Sequence, residues 1–155
     1  MTRVRGRAPR PPRPVATACL EGCGACCDPV ALGFTQEQAR TKGADFLDPR
    51  NRKFILEDLT PIPTREGRAR APYLDWMTMG IVEGKVEMAA TVFYNCRHFD
   101  AETRSCTNYD NRPPMCSKYP WYDQPPDPTK SIPPTCSYNA DVGRTPVPLP
   151  TRRAT

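Results

Sequence analysis

The sequence has no run of about 18 consecutive apolar residues, so no segment of it is expected to cross a bilayer as a helix. Arg3, Arg5, Arg7, Arg10 and Arg13 are followed only by Val15-Ala16-Thr17-Ala18 before Cys19, which falls short of the ~7 apolar residues of a secretory leader. The expected setting is therefore cytoplasmic and reducing, where clustered cysteines serve as metal ligands or redox groups rather than as structural disulfides. The G-x-G-x-x-G nucleotide loop and the H-E-x-x-H metalloprotease motif are both missing, and His98 is the sole histidine. No catalytic residue is assigned on this basis, and the expected role is binding or structural.

Material for a core is also scarce. Hydrophobic residues make up 38% of the 155, and 20 prolines and 9 glycines interrupt almost every stretch that could have become a long helix. Mean hydropathy is -0.64. Ordering each residue costs ~1–2 kcal/mol of conformational entropy, so a small core calls for a covalent or metal staple. Eight cysteines are the evident candidates.

Charge and proline divide the chain into three. Residues 1–18 form an extended basic arm, since Arg7-Ala8-Pro9-Arg10-Pro11-Pro12-Arg13-Pro14 lacks the amide donors of a helix or central strand. Residues 141–155 form a second extended tail, with Pro146, Pro148 and Pro150 beside Arg144, Arg152 and Arg153. Between the five arginines of residues 1–14 and the three of residues 142–155 the balance turns mildly acidic, 14 basic against 17 acidic residues. The arms are expected to engage protein partners in a larger assembly, such as a viral particle or ribonucleoprotein, and their arginines suit contact with nucleic-acid phosphate.

The expected fold of residues 19–140 is small, irregular α+β, centred on metal. Thr35-Gln36-Glu37-Gln38 has the form of a capping box, which predicts a short helix ending near Lys42 and Gly43. The prolines and charges of residues 48–72 predict loop, with at most a short strand at Phe54-Ile55-Leu56. A hairpin is expected from Ile81-Val82 across Glu83-Gly84-Lys85 into Val86–Tyr94, with Gly84 supplying positive φ. Beyond Cys96 come short turns, one helical turn before Pro113-Pro114, and proline-rich coil. Trp76, Trp121 and Tyr122 are expected to be packing residues of the core.

Cys19, Cys23, Cys26 and Cys27 fall within nine residues, a density far above composition. The C-x2-C step from Cys23 to Cys26 lets two thiolates reach one ion, and Gly22, Gly24 and Ala25 allow close backbone approach. Adjacent Cys26 and Cys27 are hard to place on one ion, and either point to different ligand sets or include one buried thiol. Cys96, Cys106, Cys116 and Cys136 are spaced as loops that return repeatedly to one place. Thiolates suit tetrahedral zinc and iron-sulfur clusters alike, the density of the motif favouring the cluster. His98 could complete a zinc site, although a lone histidine is more often a surface residue.

These residues resemble the YkgJ-like CxxCxxCC cysteine-cluster family, described as zinc- or iron-chelating domains. The likeness lies in Cys19 to Cys27, in Cys96-Arg97-His98-Phe99-Asp100, and in Cys106 through Tyr109, Arg112, Pro113, Cys116, Tyr119 and Pro120, which together match the family's C-x-I-Y-x-x-R-P-x-x-C-x-x-F/Y-P signature closely. Three residues rather than two separate Cys19 from Cys23. The resemblance implies all eight cysteines as metal ligands, with Tyr109 and Arg112 supporting the site. The motif also occurs in flagellin lysine methylases, which leaves a redox or methyl-transfer-associated iron-sulfur protein as an alternative. A zinc protein that binds nucleic acid through its arms is another.

Overall fold

A computed structural model describes residues 24–75, 77–82 and 85–148. Cys19, Cys23, Trp76, the expected turn at Glu83-Gly84, the amino-terminal arm and residues 149–155 lie outside the described residues. In chain order the elements are β1 (Val30–Leu32), α1 (Gln36–Thr41), α2 (Pro49–Glu57), β2 (Leu59–Ile62), α3 (Thr64–Arg70), β3 (Met77–Val82), β4 (Lys85–Ala90), β5 (Val92–Cys96), β6 (Phe99–Asp100), β7 (Ser105–Cys106) and α4 (Pro114–Ser117). Short 3-10 turns occupy Gly43–Asp45, Tyr109–Asn111 and Ser137–Val142. Short helices and short antiparallel strands make this a small α+β fold.

The central element is β5, which pairs antiparallel with β1 on one side and β2 on the other. Side chains alternate across a strand, and both faces of β5 are covered. Phe93 is fully buried and packs on α3, where Gly67 leaves no room for a side chain against the Phe93 ring. Tyr94, equally buried, points the other way into a cluster of Val30, Phe34, Ala39, Phe54, Ile55 and Leu59. Its hydroxyl donates to the Phe34 carbonyl at 2.7 Å. Removing that hydroxyl leaves a buried carbonyl unsatisfied, so Tyr94→Phe is expected to cost about 1–3 kcal/mol. A denaturant titration with an unchanged slope and a lower midpoint checks it.

Helix α1 follows from its capping box: Thr35 Oγ1 accepts from the Gln38 amide, and Gln38 Oε1 accepts from the Thr35 amide. Its far end is tied by Arg52, which donates to the carbonyls of Ala39 and Arg40. Gln36 reaches across to the carbonyls of Ile55 and Leu59, both at 2.8 Å, and so fastens α1 to the end of α2.

The expectation of loop over residues 48–72 is overturned, as is the strand at Phe54-Ile55-Leu56. Two helices and a strand stand there. Pro49 sits at the first position of α2, where its missing amide has no helical partner to lose, and Asp48 caps the helix by accepting from the Arg50 amide at 2.8 Å. Helical periodicity then buries Phe54 and Ile55 together. Pro61 is tolerated because β2 is an edge strand, and Pro63 precedes α3 as its cap.

The expected hairpin is found as β3 and β4, with Val82 paired to Lys85. The run expected to continue to Tyr94 instead changes sheet at Thr91, a buried residue whose hydroxyl donates to the Asp75 carbonyl. Gly33 and Gly80 join the hairpin to the end of β1, each lying too near the other's backbone for a Cβ. Met79 faces Met88 across the hairpin, and both are more than half exposed.

Beyond β5 the chain is held by specific polar contacts rather than by long elements. Asn139 is buried and its amide donates to the carbonyls of Pro133, Pro134 and Cys136. Arg144 donates to the carbonyls of Lys130 and Pro128, and the Val147 amide to that of Pro134. Trp121 is half-buried, edge-on to Tyr138, but Tyr122 is 41% exposed, which overturns its assignment to the core.

Candidate metal centre

Strand alternation places Cys96 on the same face of β5 as Tyr94, so its thiol continues the core surface at the strand's end. Cys116 reaches that surface from α4, which is anchored to α2 by the Met115 amide donating to Asn51 Oδ1 at 2.9 Å. Cys106 lies on β7, opposite Phe99 of β6. The turn carrying Cys26 and Cys27 is closed by the Cys27 amide donating to the Gly24 carbonyl at 3.0 Å. It lies against the same β6–β7 hairpin: Gly24 takes φ 53°, and a Cβ there would meet the Phe99 ring and the Arg104 carbonyl. Asp28, just after the turn, holds Arg70 at 3.1 Å and Arg104 at 3.7 Å.

Six of the eight sequence-predicted cysteines are thus described, on a turn, two strands, a short helix and the loop before the last 3-10 turn. No disulfide joins any two of the six. The sulfurs of Cys26 and Cys27 stand 4.0 Å apart. Among the described residues, no three His, Cys, Asp or Glu side chains close around a single ion position.

Burial and nearby thiols act together on several of these groups. Burial pushes the Cys116 thiol up to about 12, and Cys27, Cys96 and Cys106 add to the rise while Arg112 opposes it. Cys96 is also raised by burial, with Cys27, Cys106 and Asp58 adding, whereas the His98 amide donated to its sulfur works the other way. Tyr119 is raised strongly by burial, and the neighbours adding to it include Cys26 and Cys136. Tyr122 keeps 41% of its surface in water, yet the atoms packed around its hydroxyl push it up to about 12, with Cys116 and Cys26 adding.

Arg112 donates Nε to the Tyr109 carbonyl at 2.9 Å, and its guanidinium lies 3.7 Å from the centre of the Tyr109 ring. That fixes a positive charge near Cys116. Lysine has neither the planar fork nor the stacking surface. Arg112→Lys is therefore expected to weaken metal retention about 10- to 100-fold, the range for outer-shell partners of metal ligands. Competition with a coloured chelator measures it. His98 places Nε2 3.3 Å from Asp58 Oδ2. Asp58 also accepts the Arg97 amide on its carbonyl, which locks the start of the cysteine-bearing loops to the end of α2.

Two parts of this site went unrecognised in the sequence. Asp58 lay in the stretch expected to be loop, and nothing in its local pattern marks it. Tyr119 stands in the matched signature, which was the available signal for its place beside Cys26. Gly24 was singled out for backbone approach to metal, and the contact it makes is with Phe99 and Arg104.

In chemistry the described residues fit a thiolate-ligated metal group. Soft sulfur donors suit zinc and iron-sulfur clusters, an amide already points at one sulfur, and a cation stands beside another. No curated protein and no solved structure matches the chain. A family model does: CxxCxxCC, described as "Putative zinc- or iron-chelating domain", matches residues 18–137, a span that holds all eight cysteines. The chain belongs to the CxxCxxCC family.

Proposed function

We propose that the chain is a noncatalytic module stapled by metal, its thiolates holding zinc or an iron-sulfur cluster that orders the loops after β5. The observation that carries this reading is the family match over residues 18–137, and the packing of Cys96 and Cys116, from β5 and α4, against one core cluster supports it. Thiols as weakly acidic as Cys116 stay protonated near neutral pH, and a metal that binds them displaces the protons and contributes its binding energy to folding.

The module serves in a larger assembly, its partner being protein. Basic arms at both ends support this, as does the apolar face of the β3–β4 hairpin, where Met77, Met79, Val86 and Met88 are all substantially exposed. Soluble proteins of this size rarely present such a methionine-rich strand face to water without a use for it.

Anaerobic purification of the full chain, with an absorption spectrum and analysis of iron, zinc and sulfide on one sample, tests the metal. Broad absorption near ~400 nm with matched iron and sulfide establishes a cluster. A colourless protein carrying zinc establishes a structural zinc site. A folded protein free of both metals overturns the proposal.

A further inference from the structure

Successive side chains of a strand point to opposite faces, and on that geometry Cys26 and Cys27 are hard to place on one ion. The two residues are not in a strand. They lie in the turn before β1, where their sulfurs stand 4.0 Å apart. Two thiolates bound to one tetrahedral ion at ~2.3 Å are separated by ~3.8 Å, the chord of the tetrahedral angle. Neither thiol is buried, so the alternative of one inert core thiol falls. The turn that sets the spacing is braced at both ends. Ahead of the pair, the Cys27 amide donates to the Gly24 carbonyl at 3.0 Å, and Gly24 lies against the Phe99 ring and the Arg104 carbonyl. Behind it, Asp28 is held by Arg70 and Arg104, and Val30 is paired with Tyr94 in the sheet.

We propose that Cys26 and Cys27 chelate one and the same tetrahedral ion. This rests on the metal-binding reading above and narrows it. In a four-iron cluster each iron takes a single cysteine, which sets the thiolates much farther apart. A pair this close belongs to a zinc ion, to a lone iron, or to one iron of a two-iron cluster, where two cysteines share a metal. Two thiolates are half of a closed site, and among the described residues no third His, Cys, Asp or Glu joins them around one point. The braced turn is thus the part of the site formed before the ion arrives, and the other ligands close on it.

The test uses the full chain, purified anaerobically, with zinc, iron and sulfide counted on one sample and the thiols mapped by alkylation. In the loaded wild-type chain Cys26 and Cys27 should both resist alkylation, although each is open enough to water to react, and graded chelation should expose both in one phase. Alkylation of either thiol in the loaded chain, or their release in separate phases, overturns the proposal. So does a loaded chain whose metal is all in four-iron clusters. A second measurement compares Cys26→Ser, Cys27→Ser and the two joined. Each single variant should lose the same metal, with retention weakened beyond the ~100-fold upper range of outer-shell changes, and the double variant should lose no more than either. Full retention in either single variant, or a double variant that loses twice as much metal as a single one, sinks the shared ion. A wild-type chain that carries no metal defeats the metal-binding reading itself, and the metal count made before any labelling distinguishes that result from the others.

Discussion

Stripping the metal from the full chain is expected to abolish its cooperative thermal transition rather than to lower the midpoint by a few degrees. The apolar cluster on which the fold rests is seven buried residues, Val30, Phe34, Ala39, Phe54, Ile55, Leu59 and Tyr94, with Phe93 on the opposite face of the sheet. Every one of them lies at or before Tyr94. The chain after Cys96 contributes two-residue strands, a four-residue helix and 3-10 turns, and helices that short are unstable without tertiary support. Structural zinc bound by cysteine contributes about 10–16 kcal/mol at neutral pH. Whole domains are stable by only about 5–15 kcal/mol, so loss of the metal removes an amount comparable to all that the fold has. Melting followed by far-ultraviolet circular dichroism, with and without a chelator able to strip the group present, measures this. A transition of unchanged midpoint and steepness after verified metal removal would mean that the core holds the loops unaided.

How much of this was legible in the sequence depends on the range over which each signal acts. The cap at Thr35 and Gln38 is a four-residue pattern whose donors and acceptors are neighbours in the chain, and it is found as expected. The β3–β4 hairpin was legible for the same reason. Residues 48–72 misled because proline reads as a breaker until its position within an element is known. Pro49 begins α2, Pro61 sits on an edge strand and Pro63 precedes α3, three places where the missing amide costs little. Tyr122 misled for the opposite reason: aromatic character predicts burial on average, yet Tyr122 sits in a left-handed turn and leaves 41% of its surface in water.

The candidate site divides along the same line. The cysteines and their family were evident from spacing and signature, because residue identity carries that information. Which thiols neighbour which was not, since it depends on contacts between segments as far apart in the chain as Cys27 and Cys116. The alternation of β5 that turns Cys96 toward the core becomes visible only once β1 and β2 are known to flank it. Asp58 enters through its contacts with Arg97 and His98, forty residues later in the chain.

Gly24→Ala is expected to cost most of the bound metal while leaving the sheet core folded. Gly24 holds φ at 53°, where an alanine is strained by ~1–2 kcal/mol. Strain of that size alone would be tolerable. The added Cβ would also stand 2.8 Å from the Arg104 carbonyl, a backbone atom that no change of rotamer can withdraw, and it would press on the Phe99 ring. The turn must therefore move away from the β6–β7 hairpin. It carries Cys26 and Cys27 with it, and the hairpin carries Cys106, so the shift separates thiols that the proposed metal centre would draw to a bond length of ~2.3 Å from a metal. Gly143→Ala is the matched control: Gly143 also takes positive φ, at 77°, but a Cβ there meets nothing within 4 Å. It should show the backbone strain and keep its metal. Metal per chain and hydrogen exchange of the Phe93 and Tyr94 amides, compared between the two variants, separate the effects. Equal metal in both would show that contact between the turn and the hairpin does not set the site; metal lost in Gly24→Ala with those amides still protected locates the staple at the turn.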